Sequence, residues 1–157
     1  MSDIFRALEI SDDLWRRKII ETALSWVDTP YQHQASLKGV GSDCLGLIRG
    51  VWRELYGSEP AELPPYSVDW AERHSRESLY AAACEYLTPI QNQTAQAGDV
   101  LMFRMQRDAV CKHVAIMIDE TRFCMLIGGV LSLKAILYPI GNDDGSTALH
   151  FLKLDKI

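Results

Sequence analysis

No stretch of this 157-residue chain is apolar for long enough to cross a membrane. The first ten residues, Met1 to Ile10, carry Asp3, Arg6 and Glu9 and no long apolar run, so the pattern of a secretion signal is missing as well. Positive charge is in short supply: Lys and Arg number 16 against 21 Asp and Glu, a formal charge of −5. Binding to a phosphate backbone needs a clustered basic face, so nucleic acid is not an expected partner. The four cysteines, at 44, 84, 111 and 124, lack the density of a disulfide scaffold and the paired short spacing of a zinc ribbon. Synthesis in a reducing, cytoplasmic setting is the simplest expectation. Internal repeats and low-complexity tracts are absent too. What remains has the size of one domain over residues 1–157, able to bury about two-thirds of the surface that its unfolded form would expose.

Within it, the stretch from Gly39 to Ile48 (GVGSDCLGLI) stands out, a glycine-punctuated loop that delivers a cysteine onto the first turn of a helix. Gly39 and Gly41 permit positive φ and a close approach, so the segment before Ser42 reads as a tight turn. Asp43 or Ser42 caps a helix whose apolar positions Leu47, Ile48, Val51, Trp52 and Leu55 recur at helical spacing, and Gly57 is its expected stop. Cys44 therefore sits near the helix N-terminus, where unpaired N–H groups and the positive end of the macrodipole favour a thiolate, the form that attacks carbonyls. The competing reading is a buried, inert cysteine.

Before that loop, Ser11-Asp12-Asp13 has the form of a helix cap, and the helix after it presents Leu14, Ile19, Ala23, Trp26 and Val27 and ends at Thr29-Pro30. Pro30 to Gln34 is an extended or turning connection whose polar side chains can line a cleft beside Cys44. Glu59 to Pro65 is a proline-broken linker. Ser67 to Leu87 reads as one or two helices with a buried stripe of Trp70, Leu79, Ala83 and Tyr86, and with His74 exposed among charged neighbours. From Ala97-Gly98-Asp99 onward the apolar period changes to two. Strands are expected over Val100–Arg104, Val114–Ile118, Thr121–Ile127, Val130–Leu133 and Ala148–Leu154, paired as antiparallel hairpins. Helices first and strands afterwards is the α+β pattern, with N-terminal helices packed on an antiparallel sheet.

A thiol nucleophile needs a base within hydrogen-bond reach, and that base needs a third polar group to fix its tautomer. His113 opens the most apolar strand and is the leading base for Cys44. His33 is its rival, close to Cys44 in sequence, while nothing around His150 distinguishes a ligand from a surface residue. Strand alternation allows Cys111 and His113 to point the same way, with Cys124 on the next strand, which raises a metal reading. None of the usual zinc spacings is present, so no metal and no cofactor is expected.

Pro30-Tyr31, the run Gly41-Ser42-Asp43-Cys44-Leu45-Gly46-Leu47, Ala97-Gly98-Asp99-Val100-Leu101-Met102-Phe103 and Lys112-His113-Val114-Ala115-Ile116 stand here in an order and spacing that resembles the NlpC family of cell-wall cysteine peptidases. More narrowly, Tyr31 to Gly39 (YQHQASLKG) and Pro64-Pro65-Tyr66-Ser67-Val68-Asp69-Trp70 are similar to the branch found with phage tails and gene transfer agents. The resemblance runs from the first helix to the His113 hairpin and fades after Gly129.

It implies a circularly permuted papain-like fold and cleavage of the γ-D-glutamyl–diamino acid bond in peptidoglycan stem peptides. It implies Cys44 as nucleophile, His113 as base, and the Cys44 backbone N–H as a donor to the oxyanion. Tyr31 and Asp43 match positions on the substrate side, where Asp43 would meet a free amine of the stem peptide. It also implies partners among phage-tail or gene-transfer-agent proteins and association with such a particle. In the family a third polar residue, commonly histidine, follows the catalytic histidine by one hairpin, and the ungapped Phe123-Cys124-Met125 stretch puts Met125 there. A thioether cannot orient an imidazole as an amide, a carboxylate or a second ring would. A Cys44/His113 dyad, help from His33, Gln34, Cys111 or a backbone carbonyl, and loss of catalysis in favour of peptidoglycan binding or a structural tail role all stay open. So does acyl transfer on a substrate outside the wall. Leu45 stands where many relatives carry serine.

Overall fold

The computed structural model describes residues 2–66, 78–90, 95–104, 110–127, 130–135 and 149–155. Helix α1 spans Ser2–Leu24, and the short strands β1 (Ser36–Leu37) and β2 (Gly41–Ser42) form a small antiparallel hairpin. Helix α2 spans Cys44–Tyr56 and α3 Ser78–Tyr86. Six further strands follow: β3 (Thr88–Pro89), β4 (Val100–Arg104), β5 (Cys111–Asp119), β6 (Arg122–Ile127), β7 (Val130–Ala135) and β8 (Leu149–Lys153). They make one antiparallel sheet in the order β3-β8-β4-β5-β6-β7. This is the α+β arrangement expected from the change of period, with α1 and α2 packed against β5. Among the described residues no helix is long and apolar enough to cross a membrane.

One face of the sheet carries the main core. Val100 and Met102 of β4, Val114, Ile116 and Ile118 of β5 and Cys124 of β6 meet Ile19, Ala23 and Trp26 from α1 and its following turn, and Leu47 and Val51 from α2. Leu101, Ala115 and Met117 point to the opposite face and pack with Phe103, Phe123 and Met125. Because both faces of β5 are covered, its centre is a continuous apolar run rather than an alternating one. Alternation also separates the last residues of interest: Cys124 lies in the helix-side core, its thiol toward the Ala23 carbonyl at 3.7 Å, while Met125 lies on the other face.

Three local expectations are corrected. Helix α1 starts at Ser2 and runs straight through Ser11-Asp12-Asp13, so no cap operates there; Asp12 instead forms an i,i+4 ion pair with Arg16 at 3.3 Å. Its buried stripe is Ile19, Ala23 and Trp26, with Trp15 packed beside them, and Leu14 is 59% exposed. The helix ends at Leu24 and gives way to a turn in which Asp28 adopts φ 71°. Trp70, His74 and the first part of the expected 67–87 helical region lie outside the described residues; Leu79 and Ala83 do pack on the core, whereas Tyr86, expected in the buried stripe, is exposed.

The Ala97-Gly98-Asp99 turn has a clear structural task. Asp99 is fully buried; one carboxylate oxygen accepts from Arg16 Nη1 at 2.8 Å and the other from the Gln96 N–H at 2.7 Å. Arg16 also donates to the Ala97 carbonyl. Backbone bonds from Gly98 to Met117 and back from Met117 to Asp99 then set β4 against β5. Helix α1 is thereby tied to the strand pair that reaches the cysteine.

Candidate active site

Helix α2 begins at the cysteine because of Asp43. With extended backbone angles, Asp43 accepts the Gly46 N–H on Oδ1 at 2.7 Å, which satisfies one of the free donors of the first turn. Gly57, at φ 90°, closes the helix by donating to the Arg53 carbonyl at 2.9 Å, as the sequence predicts. Gly39 takes the expected positive φ of 74°, whereas Gly41 does not and serves as a close approach to Gln32. A role not read from sequence belongs to Gly46. A Cβ there would lie 2.0 Å from the Ala35 carbonyl oxygen, so only glycine lets the first turn of α2 rest on the preceding loop.

The buried Asp43 carboxylate is shared widely. Its Oδ2 accepts the Gln34 N–H at 2.8 Å and the Tyr66 hydroxyl at 2.5 Å, and His33 Nδ1 stands 3.7 Å away. His33 Nε2 lies 2.8 Å from the Tyr66 carbonyl, and the two rings meet edge to face at 5.2 Å. The Gln34 amide also donates to that carbonyl. Gln34 pays for its place with φ 62°, a left-handed angle uncommon outside glycine. Burial and the Asp43 charge push the Tyr66 phenol far above its ordinary range. Sequence reading named Asp43 and His33 but gave Tyr66 no role; its position after Pro64-Pro65, which fixes an extended approach, is the signal that was available. Tyr31 is 45% exposed, and its backbone pairs with Ser42 through a parallel bridge, one residue before Asp43.

The Cys44 thiol reaches β5. Its Sγ donates to the Lys112 carbonyl at 3.9 Å and receives the Val114 N–H. The meeting point is a bulge: Phe103 pairs with His113 and Arg104 with Cys111, which leaves Lys112 as an extra residue. That bulge corrects the expectation that Cys111 and His113 share a face. Cys111 turns into the helix-side core, whereas His113 has the strand parity of Ala115 and Met117. Among the described residues no group of three or more His, Cys, Asp or Glu side chains is placed to hold a metal ion.

Cys44 keeps partial solvent access, but its sulfur lies in largely apolar surroundings. Burial pushes the thiol up from an ordinary 9.0 to about 11, aided by the nearby Asp43 charge and opposed by the N–H groups of Val114, Leu45 and Cys44 itself. Burial also lowers His113 below its ordinary 6.5, with the positive charge of Lys112 acting in the same sense. Both groups are therefore neutral at pH 7. Among the described residues no hydrogen bond joins the His113 ring to the sulfur; the structure brings the thiol to the two chain neighbours of His113 instead. His33 is tied to Asp43 and Tyr66, and it too makes no bond with the sulfur. His150 lies on β8, its backbone opposite Met102.

Solved structures repeat this arrangement of helices and sheet. NlpC1 from Trichomonas vaginalis superposes with a TM-score of 0.55 at 16% identity, over 86% of this chain and 42% of that one. This chain thus spans less than half the length of that protein. The NlpC/p60 domain of the peptidoglycan hydrolase SagA gives 0.54 at 18% identity, covering 86% of this chain and 96% of its own. RipD from Mycobacterium tuberculosis, described as a non-catalytic NlpC/p60 domain protein adapted to peptidoglycan binding, gives 0.54 at 14%, covering 88% and 96%. These likenesses establish the papain-like fold that the motifs imply. No curated protein matches the sequence significantly. The model of the NlpC/P60 family matches residues 28–134, from the turn after α1 to β7, a span that holds Tyr31, Asp43, Cys44 and His113. This chain belongs to the NlpC/P60 family.

Proposed function

We propose that this protein is a cysteine endopeptidase that cleaves the γ-D-glutamyl–diamino acid bond of peptidoglycan stem peptides, with Cys44 as nucleophile and His113 as base. The observation that carries the reading is the meeting of the α2 N-terminus with the β5 bulge: Lys112 and Val114, on either side of His113, both contact the Cys44 sulfur. A neutral imidazole and a neutral thiol suit general-base catalysis, in which the His113 ring turns toward the sulfur and takes the thiol proton as sulfur attacks the carbonyl carbon. The S–C bond forms, the amide C–N bond breaks, and the proton leaves with the amine. Water then hydrolyses the acyl-enzyme. The α2 N-terminus presents N–H groups to the developing oxyanion. Tyr31 and Asp43 form the substrate side, and a substrate amine would join or displace the Tyr66 hydroxyl on Asp43. The motifs from Tyr31 to Gly39 and from Pro64 to Trp70 support placement in the phage-tail and gene-transfer-agent branch, with tail proteins as partners.

A second reading has its own support. The thiol is held protonated, its partner is a carbonyl rather than an imidazole, and the position expected to orient His113 is the apolar Met125. On this reading the protein binds stem peptides without cutting them. Incubation with a γ-D-glutamyl-diamino acid tripeptide, followed by mass spectrometry, decides between them. Turnover by wild type that is lost in Cys44→Ala and in His113→Ala supports the peptidase; saturable binding without turnover in wild type sinks it in favour of the binding protein.

A further inference from the structure

We propose that the cavity between α2 and α3 is an acyl pocket, which receives the straight aliphatic tail of an acyl group whose carbonyl carbon is bonded to Cys44. The cavity measures about 110 Å³ and is walled by Leu45, Ile48, Leu63, Leu79, Ala83 and Val114, among others. Its charged lining residues, Arg49 and Glu59, are paired with each other at 2.8 and 3.2 Å, so they present no free charge to an occupant. A space so lined offers water few hydrogen-bond partners and favours an apolar guest.

Cys44 does not line the cavity itself, but two of the lining residues adjoin it. Leu45 follows Cys44 in the chain, and the Val114 backbone N–H bonds to the Cys44 sulfur. On this proposal an acyl group attached to that sulfur runs past Leu45 and Val114 into the apolar space. At its outer end a shallower depression of about 390 Å³ shares Trp52, Glu59, Pro60 and Tyr86 with it, leaving room for a longer tail. A γ-D-glutamyl stem peptide has no aliphatic tail to place there, so the cavity describes a second substrate class, esters or thioesters of aliphatic acids. The inference rests on Cys44 being an acyl acceptor, as proposed above. The step is acyl exchange: the thiol sulfur bonds to the carbonyl carbon, the bond from that carbon to the alcohol or thiol leaving group breaks, and the proton departs with the leaving group.

The test uses the wild-type protein and 4-nitrophenyl acetate, butyrate, hexanoate and octanoate, with the thioester on Cys44 located and timed by peptide mass spectrometry. Acylation of Cys44 should accelerate about fourfold for each methylene that enters the cavity, then level off. Saturating 1-hexanol should slow the hexanoate reaction at least tenfold while leaving acetate within twofold. Ala83→Phe, which fills the cavity from α3, should abolish the chain-length preference without slowing acetate. Equal rates for acetate and hexanoate, unmoved by hexanol, overturn the pocket while Cys44 stands as a nucleophile. Failure of every ester to acylate Cys44 overturns the nucleophile and the pocket together.

Discussion

Replacing Asp43 by Asn changes one carboxylate oxygen to a nitrogen and removes the charge, and the surrounding bonds locate the cost. Oδ1 caps the helix at Gly46, and an amide oxygen caps nearly as well. Oδ2 accepts the Gln34 N–H and the Tyr66 hydroxyl, and an amide nitrogen there is a donor facing two donors. The hydroxyl can turn and accept; the N–H cannot. Flipping the amide only moves the unpaired donor to Gly46. One buried donor without a partner costs ~1–3 kcal/mol, and exchanging a charged bond for a neutral one adds ~1, so Asp43→Asn should lose about 2–4 kcal/mol. Asp43→Ala removes the cap as well and should lose about 1 kcal/mol more. Urea unfolding followed by circular dichroism reads both as a shift in midpoint at unchanged slope. Because the Asp43 charge is one of the causes that raise the Cys44 thiol, the folded Asn variant should also alkylate faster at a given pH. An Asn variant within ~0.5 kcal/mol of wild type, or an Ala variant no worse than Asn, would refute the network assigned to Asp43.

Two further outcomes are expected. Gly46→Ala gains ~1 kcal/mol of helix propensity but drives a Cβ into the Ala35 carbonyl, where overpacking costs ~3 kcal/mol or more, so thermal denaturation should show a lower Tm; a raised Tm contradicts the packing described. With its thiol at about 11, Cys44 should be alkylated by iodoacetamide at a rate that climbs with pH through the alkaline range. At pH 7 only about one molecule in ten thousand would carry the thiolate, against a few per cent for an ordinary thiol. Peptide mass spectrometry that finds a plateau of reactivity below pH 7 would mean a preformed pair with His113 and would displace the Lys112 contact.

Features written by neighbouring residues were legible in the sequence. Asp43, the apolar spacing of α2 and Gly57 are all within 15 residues of one another, and the structure uses them as expected. The strands from β4 onward were legible for the same reason, since alternation and turns are local, while the two-residue strands β1, β2 and β3 are too short to show a period. What failed depends on partners far along the chain. Ser11-Asp12-Asp13 has the chemistry of a cap, but the helix continues through it and Asp12 is taken by Arg16. The bulge at Lys112 exists only as a mismatch between β4 and β5, so single-strand alternation put Cys111 on the wrong face. Tyr66 lies 23 residues from Asp43, and no local pattern joins them. The acidity of Cys44 went the other way from expectation by magnitude. A helix N-terminus favours a thiolate by ~0.3–1 kcal/mol, up to ~2 when partly buried. The rise from 9.0 to about 11 corresponds to about 3 kcal/mol against it. Desolvation exceeds the dipole.

The position of β8 carries a consequence for the order of assembly. This strand is the last one described, yet it sits inside the sheet, between β3 and β4. Until Leu149–Lys153 have been made, β4 offers a row of unpaired N–H and C=O groups on the side away from β5. The Trp15 indole closes the same circle by donating to the carbonyl of Leu154, 139 residues away. Helix α1, translated first, must therefore wait for the far side of β4 to be filled before its Trp15 has the Leu154 carbonyl to bond. Such long closures make folding slow, and they leave the unfinished sheet edge as the surface most in need of protection while the ribosome is still at work.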